Sequence, residues 1–351
     1  MKKIFMILKR IYHSLRVKLN YILNKNSHYK LGLIKRIYYA VKNFSVNEYF
    51  WYNFKENDYR EYISEYERRK GRDINGEYKI VLDNKIIFEE FFKDYIKVPS
   101  NYAYISNKNI YPLHDFDISN KKIIEFIKNK KIVVLKILKG CEGKGVYIVK
   151  YLNNKFFINE EKITSKSLVE FILNSDDSII CEYMTQSKFE NEIFDKSTNT
   201  IRIVCAKAKN EKYAHVIKAV QRIGCNASIP VDNLSAGGFA SEINLETGEL
   251  GFAIQKYRKD NKIVKYEKHP DTTSQIKGKV IPNWETIKNQ IEELTNRVPY
   301  FKLIAWDVLL TDDGICIIEG NASSGCAPFQ LEHGIRNEKY GDILKSYNVF
   351  K

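Results

Sequence analysis

A chain of 351 residues with 44% hydrophobic and 13% aromatic side chains, but only 7 Pro and 17 Gly, has apolar material for two or three subdomains and excludes a collagen-like or disordered polymer. Its net charge of +14 is unevenly held: residues 1–47 contain eleven Lys or Arg and no Asp or Glu, so the remainder is nearly neutral. A duplex-binding protein would spread basic residues over a docking face, and no such arrangement follows residue 47, so nucleic acid is not expected as a partner.

Ile4, Leu8, Ile11, Leu15, Leu19 and Ile22 recur at spacings of three and four and predict an amphipathic helix with Lys and Arg on its other face. Two readings stay open: a helix packed on the body with a solvated basic face, or a peripheral contact of residues 1–25 with an anionic membrane surface. Lys9 and Arg10 interrupt the apolar stretch and no small-residue cleavage pattern follows, so the segment is expected to stay attached. No run approaches the ~18 apolar residues of a spanning helix. Residues 48–76 continue in helical character to Gly71 and Gly76, Tyr78 to Leu82 alternates like a strand, and IIFEEFFKDY reads as a short helix ending before Val98 and Pro99. Strands are expected at 132–138, 146–149, 179–184, 200–206, 215–220, 303–310 and 315–319, and helices at 119–130, 167–174 and 284–297. Cysteines 141, 181, 205, 225, 316 and 326 are scattered singly without CxxC spacing, which favours buried thiols in a reducing compartment, here the cytoplasm, at the inner face of the membrane if the first helix binds there.

Two constellations carry chemistry. In IVVLKILKGCEGKGVYIV, a strand, a turn with Gly140, Gly143 and Gly145, and a second strand form a glycine hairpin; no Ser or Thr follows Gly143-Lys144, so it is not a Walker loop. Backbone N–H groups without a neighbouring Cβ can approach phosphate, with Lys136 beneath them. In LIAWDVLLTDDGICIIEGNASSG, two apolar strands are interrupted by Asp307, Glu319 and Asn321, polar groups that a core strand ordinarily lacks. Glu319 and Asn321 share a face. A three-residue loop of Asp312, Asp313 and Gly314 would pair Thr311 with Ile315 and set Asp307 opposite Glu319, whereas a two-residue Asp313-Gly314 loop would displace that pairing by one. With the first register, three oxygen donors converge on a site for Mg²⁺, and a nucleotide is implied.

These residues resemble the ATP-grasp superfamily, most closely its sugar-transfer-associated branch, over about residues 80–335. The likeness runs in order through Asn84-Lys85 and Phe88, Val98-Pro99, Lys136 and the glycine loop, CEYM at 181–184, NTIR at 199–202, DNLSAGG at 232–238, HPDT at 269–272, and Asp307, Glu319 and Asn321. It implies an α+β ATP-grasp fold gripping ATP: a basic helical region at 1–76, a preceding or linking segment at 77–118, a small lid subdomain at 119–182 and a metal and substrate subdomain at 183–351. It implies ATP and Mg²⁺ or Mn²⁺ as cofactors, with Asp307, Glu319 and Asn321 as metal ligands. Lys85 and Lys136 would hold phosphates under the loop of Gly140, Gly143, Lys144 and Gly145, and Glu182, Tyr183 and Met184 would bind adenine. Arg202, Arg222 and Lys136 would be catalytic; Asn233, Gly237, Gly238, His269 and Asp271 would lie on the acceptor side. Several such ligases carry Arg two residues before the first metal carboxylate; here that residue is Ala305, and the oxyanion role would pass to Arg202 or Arg222. The family chemistry implies a ligase joining a small-molecule or glycan-linked carboxylate to an amine through an acyl phosphate, in cell-surface polysaccharide assembly. A phosphotransferase using the same site, or a non-catalytic membrane scaffold, are the alternatives, and the oligomeric state is left open.

Overall fold

The computed structural model describes residues 2–25, 27, 29–138, 140, 145–256, 263–322 and 324–350, without the side chains of 2–4 and 6–11. The first sheet comprises β1 (Asn101–Ser106), β2 (Asn109–Pro112), β3 (Ile132–Ile137), β4 (Val146–Leu152), β5 (Lys155–Ile158), β6 (Glu161–Ile163) and β7 (Ser178–Glu182), in the order β2-β1-β7-β3-β4-β5-β6. The second comprises β8 (Thr200–Ala206), β9 (His215–Ile223), β10 (Phe239–Ile243), β11 (Leu250–Gln255), β12 (Lys265–Tyr266), β13 (Leu303–Thr311) and β14 (Gly314–Asn321), in the order β12-β11-β10-β9-β8-β13-β14. Every pairing of these strands is antiparallel. β1 and β2, from the segment read as a link, are strands of the first sheet.

Alternation decides what each sheet face meets. In the first sheet, Val133, Leu135 and Ile180 pack with Ile123, Ile127, Leu168 and Ile172 of helices Ile123–Lys130 and Ser165–Leu173. Val134, Lys136 and Cys181 therefore face the opposite way, into a cavity. In the second sheet, Ile201, Ile203, Ile304, Trp306 and Val308 join a core with Ile287, Ile291 and Leu294 of helix Trp284–Arg297. On the other face, Val204, Ala206, Leu303 and Ala305 are covered at one end by Ile343 and Leu344 of helix Lys339–Ser346. At the other end that face turns polar, with Thr200, Arg202, Arg222 and Asp307.

The N-terminal region is attached by aromatic packing: Phe44, Tyr49, Trp51, Tyr52, Phe54 and Tyr62 form one cluster with Leu234, Ala240 and Ile254 of the second-sheet region. Residues 78–82, read as a strand, are helical instead, lying in a 3-10 turn Gly76–Tyr78 and a helix Lys79–Asp83. Five residues are too few to separate periods of 2 and 3.6, and the contact of Leu82 with β14 decides the outcome. Helix Lys2–Ile22 agrees with the predicted amphipathic segment. Among the described residues no helix is long and apolar enough to cross a membrane, and the five described cysteines are all buried thiols.

Candidate active site

The β13–β14 turn holds two residues, Asp312 and Asp313, because Thr311 pairs with Gly314. Continued unbroken, that register would set Asp307 against Ile318. Instead the ladder shifts between Asp307 and Val308, and Asp307 faces Glu319, Trp306 faces Gly320 and Ala305 faces Asn321. Ile318 is the extra residue of a β-bulge. Neither of the two loops weighed from sequence is formed, yet the pairing that the three-residue loop would have given arises from the bulge. Asn321 Nδ2 donates to Glu319 Oε1 at 3.4 Å, so both side chains share one place.

Asp307 is buried and held by two arginines from neighbouring strands. Arg202 Nε and Nη2 donate to its Oδ1 and Oδ2, each at 2.6 Å, and Arg222 Nη1 donates to Oδ2 at 2.8 Å. Arg222 Nη2 in turn donates to Asn233 Oδ1 at 2.6 Å and to Asp232, whose Oδ2 accepts from Thr200 N at 2.9 Å and Thr200 Oγ1 at 2.6 Å. Burial alone would raise the Asp307 carboxyl, but Arg202 and Arg222 outweigh it and hold it at about 2. Burial dominates at Asp232, which lies above the ordinary aspartate value despite Arg222. Desolvation would lower Arg222, and Asp232 and Asp307 outweigh it, so the guanidinium is raised. Two guanidiniums and two carboxylates thus compensate each other in a place where any one alone would be costly. Ala305, fully buried between Val204 and Asn321, could not bring an arginine here, and the charge comes across the sheet from β8 and β9.

The opposing wall begins with Asn84, whose side chain accepts from Ile86 N and Ile87 N and caps helix Lys85–Phe92. That helix and the preceding helix Lys79–Asp83 lie directly on β14 at Gly320, where a Cβ would come within 2.8 Å of Leu82 Cδ2 and 3.1 Å of Phe88 Cε2. The close approach brings Lys85 Nζ to 3.3 Å from Leu138 O and 4.0 Å from Glu319 Oε2. Asn101 Nδ2 donates to Lys85 O at 3.1 Å and Asn101 N to Glu89 Oε2 at 3.0 Å, tying the helix to the first sheet. Lys136 reaches the Cys181 thiol, which burial raises and Lys136 partly lowers. At the end of β7, Glu182 N donates to Ser100 O at 2.8 Å and Glu182 Oε2 accepts from Ser100 N at 3.2 Å, fixing the start of the segment that continues through Tyr183 and Met184.

A cavity of about 730 Å³ lies between these walls. Lys85, Lys136, Gly140, Glu182, Tyr183, Met184, Arg202, Arg222, Asn233, Asp307, Glu319 and Asn321 all line it. Gly143 and Lys144 lie outside the described residues. Gly145, with φ +73°, holds the base of β4 but does not line the cavity. Nor do Gly237, Gly238, His269 or Asp271. Gly237 O accepts from Gln255 Nε2 at 2.8 Å, and Gly238 sits tightly beneath Asp232 O. His269 is a core residue: its Nε2 pairs with Gly224 O at 2.8 Å, its Nδ1 accepts from Asp271 N at 3.1 Å, and its ring stacks on Phe194. Asp271 Oδ2 accepts from Asn226 N at 2.8 Å. These four, expected on the acceptor side, thus take no part in lining this cavity.

Sequence reasoning missed part of the wall. Glu65 and Arg68, from the N-terminal region, and Lys256 also line the cavity. Arg68 Nη2 lies 2.6 Å from Glu65 Oε2, and although burial would raise the Glu65 carboxyl, Arg68 outweighs it and leaves it lowered. Lys256 Nζ sits 3.8 Å from the Trp51 ring centroid. The available signal was the cluster of Glu and Arg around position 65 in a segment otherwise rich in aromatics.

A family model described as sugar-transfer associated ATP-grasp matches residues 61–341. The chain belongs to this family. Its α+β architecture of two antiparallel sheets is the ATP-grasp fold. Similar solved structures include an ADP complex of purK, N5-carboxyaminoimidazole ribonucleotide synthetase (12% identity, 70% of this chain and 46% of that one, TM-score 0.39). D-alanyl-alanine synthetase A from Vibrio cholerae is 10% identical over 72% of this chain and 58% of that one, TM-score 0.40. The ATP-grasp ligase PsnB with a minimal precursor is 12% identical over 79% and 64%, TM-score 0.40. The chain spans about half the length of the first two. No curated protein matches it. ATP-grasp enzymes in general use ATP with Mg²⁺ or Mn²⁺. The donor set fits such a cation: Glu319 opens to the cavity, the Asn321 amide can present its oxygen, and Asp307 Oδ1 retains a lone pair beyond the one that accepts from Arg202. No cluster of three or more His, Cys, Asp or Glu suited to a metal occurs among the described residues.

Proposed function

We propose that this ATP-grasp chain is a ligase that uses ATP to activate a carboxylate as an acyl phosphate and joins it to an amine, in the assembly of cell-surface polysaccharide or a related glycan. The observation that carries the reading is the juxtaposition of Lys85, from the helix beside the first sheet, with Glu319 of the second at 4.0 Å, in a cavity of a size suited to a nucleotide. Lys85 and Lys136 would neutralise phosphate oxygens, Glu182 to Met184 would border the adenine, and Glu319, Asn321 and Asp307 would hold the divalent cation. When bound, that cation supplies charge neutralisation on the phosphates.

In the first step the carboxylate oxygen bonds to the γ-phosphorus, the bridging β–γ oxygen bond breaks and ADP departs. In the second the amine nitrogen bonds to the acyl carbon, the carbon–oxygen bond to phosphate breaks, and the nitrogen sheds a proton to solvent as phosphate leaves. Arg202, the more open of the two arginines, stands beside the cavity where the activated group would lie, while Arg222, with both Nη atoms engaged, acts as a positioning residue for Asp307. The pathway is supported by the family's sugar-transfer association. The test is an ADP-release screen with uronic and amino acids as carboxylates, run with hydroxylamine in place of the amine. A hydroxamate that disappears in Glu319→Gln is expected. ADP with a stable phosphorylated product and no hydroxamate would mean phosphotransfer and overturn the ligase reading.

A further inference from the structure

Helix Lys2–Ile22 and helix Leu33–Val41 are joined to each other by Arg36 Nη1 on Ile22 O at 2.6 Å and Lys18 Nζ on Val41 O at 3.4 Å. The second helix anchors the pair to the body through buried Ala40 and through Tyr39, which stacks on Phe54 at 5.4 Å between centroids. Each helix then turns a stripe of large apolar side chains away from the body. On the first these are Tyr12, Leu15, Leu19 and, just past its end, Leu23, all more than half exposed. On the second they are Leu33, Ile34, Ile37, Tyr38 and Val41, with Ile34 at 85%. Spacings of three and four put each set on one helical face. Exposed apolar patches of this extent on a folded body mark an interaction surface. Exposed Arg16, Lys25, Lys30, Lys35 and Lys42 accompany them, and no acidic residue occurs in residues 1–47.

We propose that this helix pair docks the protein on an anionic bilayer surface, the apolar stripes entering the headgroup boundary and the cations meeting lipid phosphates and carboxylates. A protein partner would have to be acidic throughout its footprint to match a segment with no negative charge, whereas an anionic leaflet supplies that charge everywhere. Each basic residue near such a surface adds roughly fivefold to partitioning, and the apolar residues add a component that salt does not screen. The proposal stands apart from the ligase reading, because none of these residues lines the cavity.

The test is flotation of the full chain with vesicles of phosphatidylcholine and phosphatidylserine, against pure phosphatidylcholine, at low and high salt. Expected is binding to the anionic vesicles that weakens with salt without vanishing. It should fall at least tenfold in Leu15→Ser/Leu19→Ser/Ile34→Ser and in Arg16→Glu/Lys35→Glu. All of these positions are exposed or at the surface, so thermal melting and nucleotide binding should match the parent and certify the fold. Absence of binding to anionic vesicles, binding of either variant equal to that of the parent, or a solution dimer that the serine variant dissolves would each overturn the proposal, the last assigning the stripes to a second copy of the chain.

Discussion

Removing Arg222 tests whether the buried charge cluster holds the site together. In Arg222→Met a chain of similar length keeps the packing while Asp307 loses one of its donors and Asp232 loses its cation, keeping only the two donors from Thr200. Taking one partner from a buried pair costs about 3–5 kcal/mol. A second figure comes from Asp307 alone: a carboxyl at about 2 in place of 3.8 contributes about 2 kcal/mol at neutral pH, shared between Arg202 and Arg222. We expect a loss of about 3–5 kcal/mol at neutral pH by urea unfolding.

The sign of the pH dependence is fixed by the same groups. Asp307, lowered in the folded state, gives stability that is present above its unfolded value and lost as pH falls toward 2, and less of it exists in the variant. Asp232, already raised, rises further without Arg222, so the variant loses more stability than the parent as pH climbs above the unfolded value. Both contributions make the gap between parent and variant narrow as pH is lowered from about 7 to about 4. Arg222→Met/Asp232→Asn should recover part of the loss, since the orphaned charge is gone. A loss below about 1 kcal/mol, or a gap independent of pH, would refute the account of the cluster as mutually compensating charges.

Glu319→Gln should lower ADP release by about 10²–10³ with little change in melting temperature, because Glu319 is half-buried and Lys85 beside it keeps the carbonyl oxygens of Leu138 and Gly140 as acceptors. Gly320→Ala should cost about 1–3 kcal/mol and also weaken nucleotide binding, since the added Cβ meets Leu82 and Phe88 and pushes away the helix that carries Lys85; isothermal titration with ADP alongside denaturation checks both. His269→Ala should destabilise by about 2–4 kcal/mol while leaving kcat of the folded fraction unchanged, which separates a core role from an acceptor role. Burial pushes fully buried Glu190 up to about 8, so the folded state keeps its proton and stability falls from about pH 4.5 to about 8; Glu190→Gln should flatten that decline in unfolding midpoints.

Much of this was readable along the chain because strands with strong apolar runs announce themselves. β8 spans 200–206 and helix Trp284–Arg297 spans 284–297, as expected. β1 and β2 escaped because NYAYIS and NIYP mix Asn and Tyr into short runs, although the Asn107-Lys108 turn joins them, and β1 is also fixed by its partner β7, far along the chain. The three oxygen donors were legible as polar interruptions in core strands. Their surroundings were not: Arg202 and Arg222 reach Asp307 from 105 and 85 residues away, a closeness that only sheet order creates.

The β13–β14 hairpin makes the limit concrete. Two local features, the turn and the bulge, each move the register by one residue, and only their sum determines what faces Asp307. A sequence argument that follows the turn alone must choose a three-residue loop to reach the observed pairing, and so arrives at the right neighbours by the wrong route. What favours the bulge is tertiary. Asp307 against Ile318 would direct a buried carboxylate, already tied to two arginines, toward an apolar neighbour, and would move Gly320 out from under Leu82 and Phe88, where a larger residue cannot fit. The bulge thus serves helix packing and charge placement at once, and Gly320 is the residue through which the two are coupled.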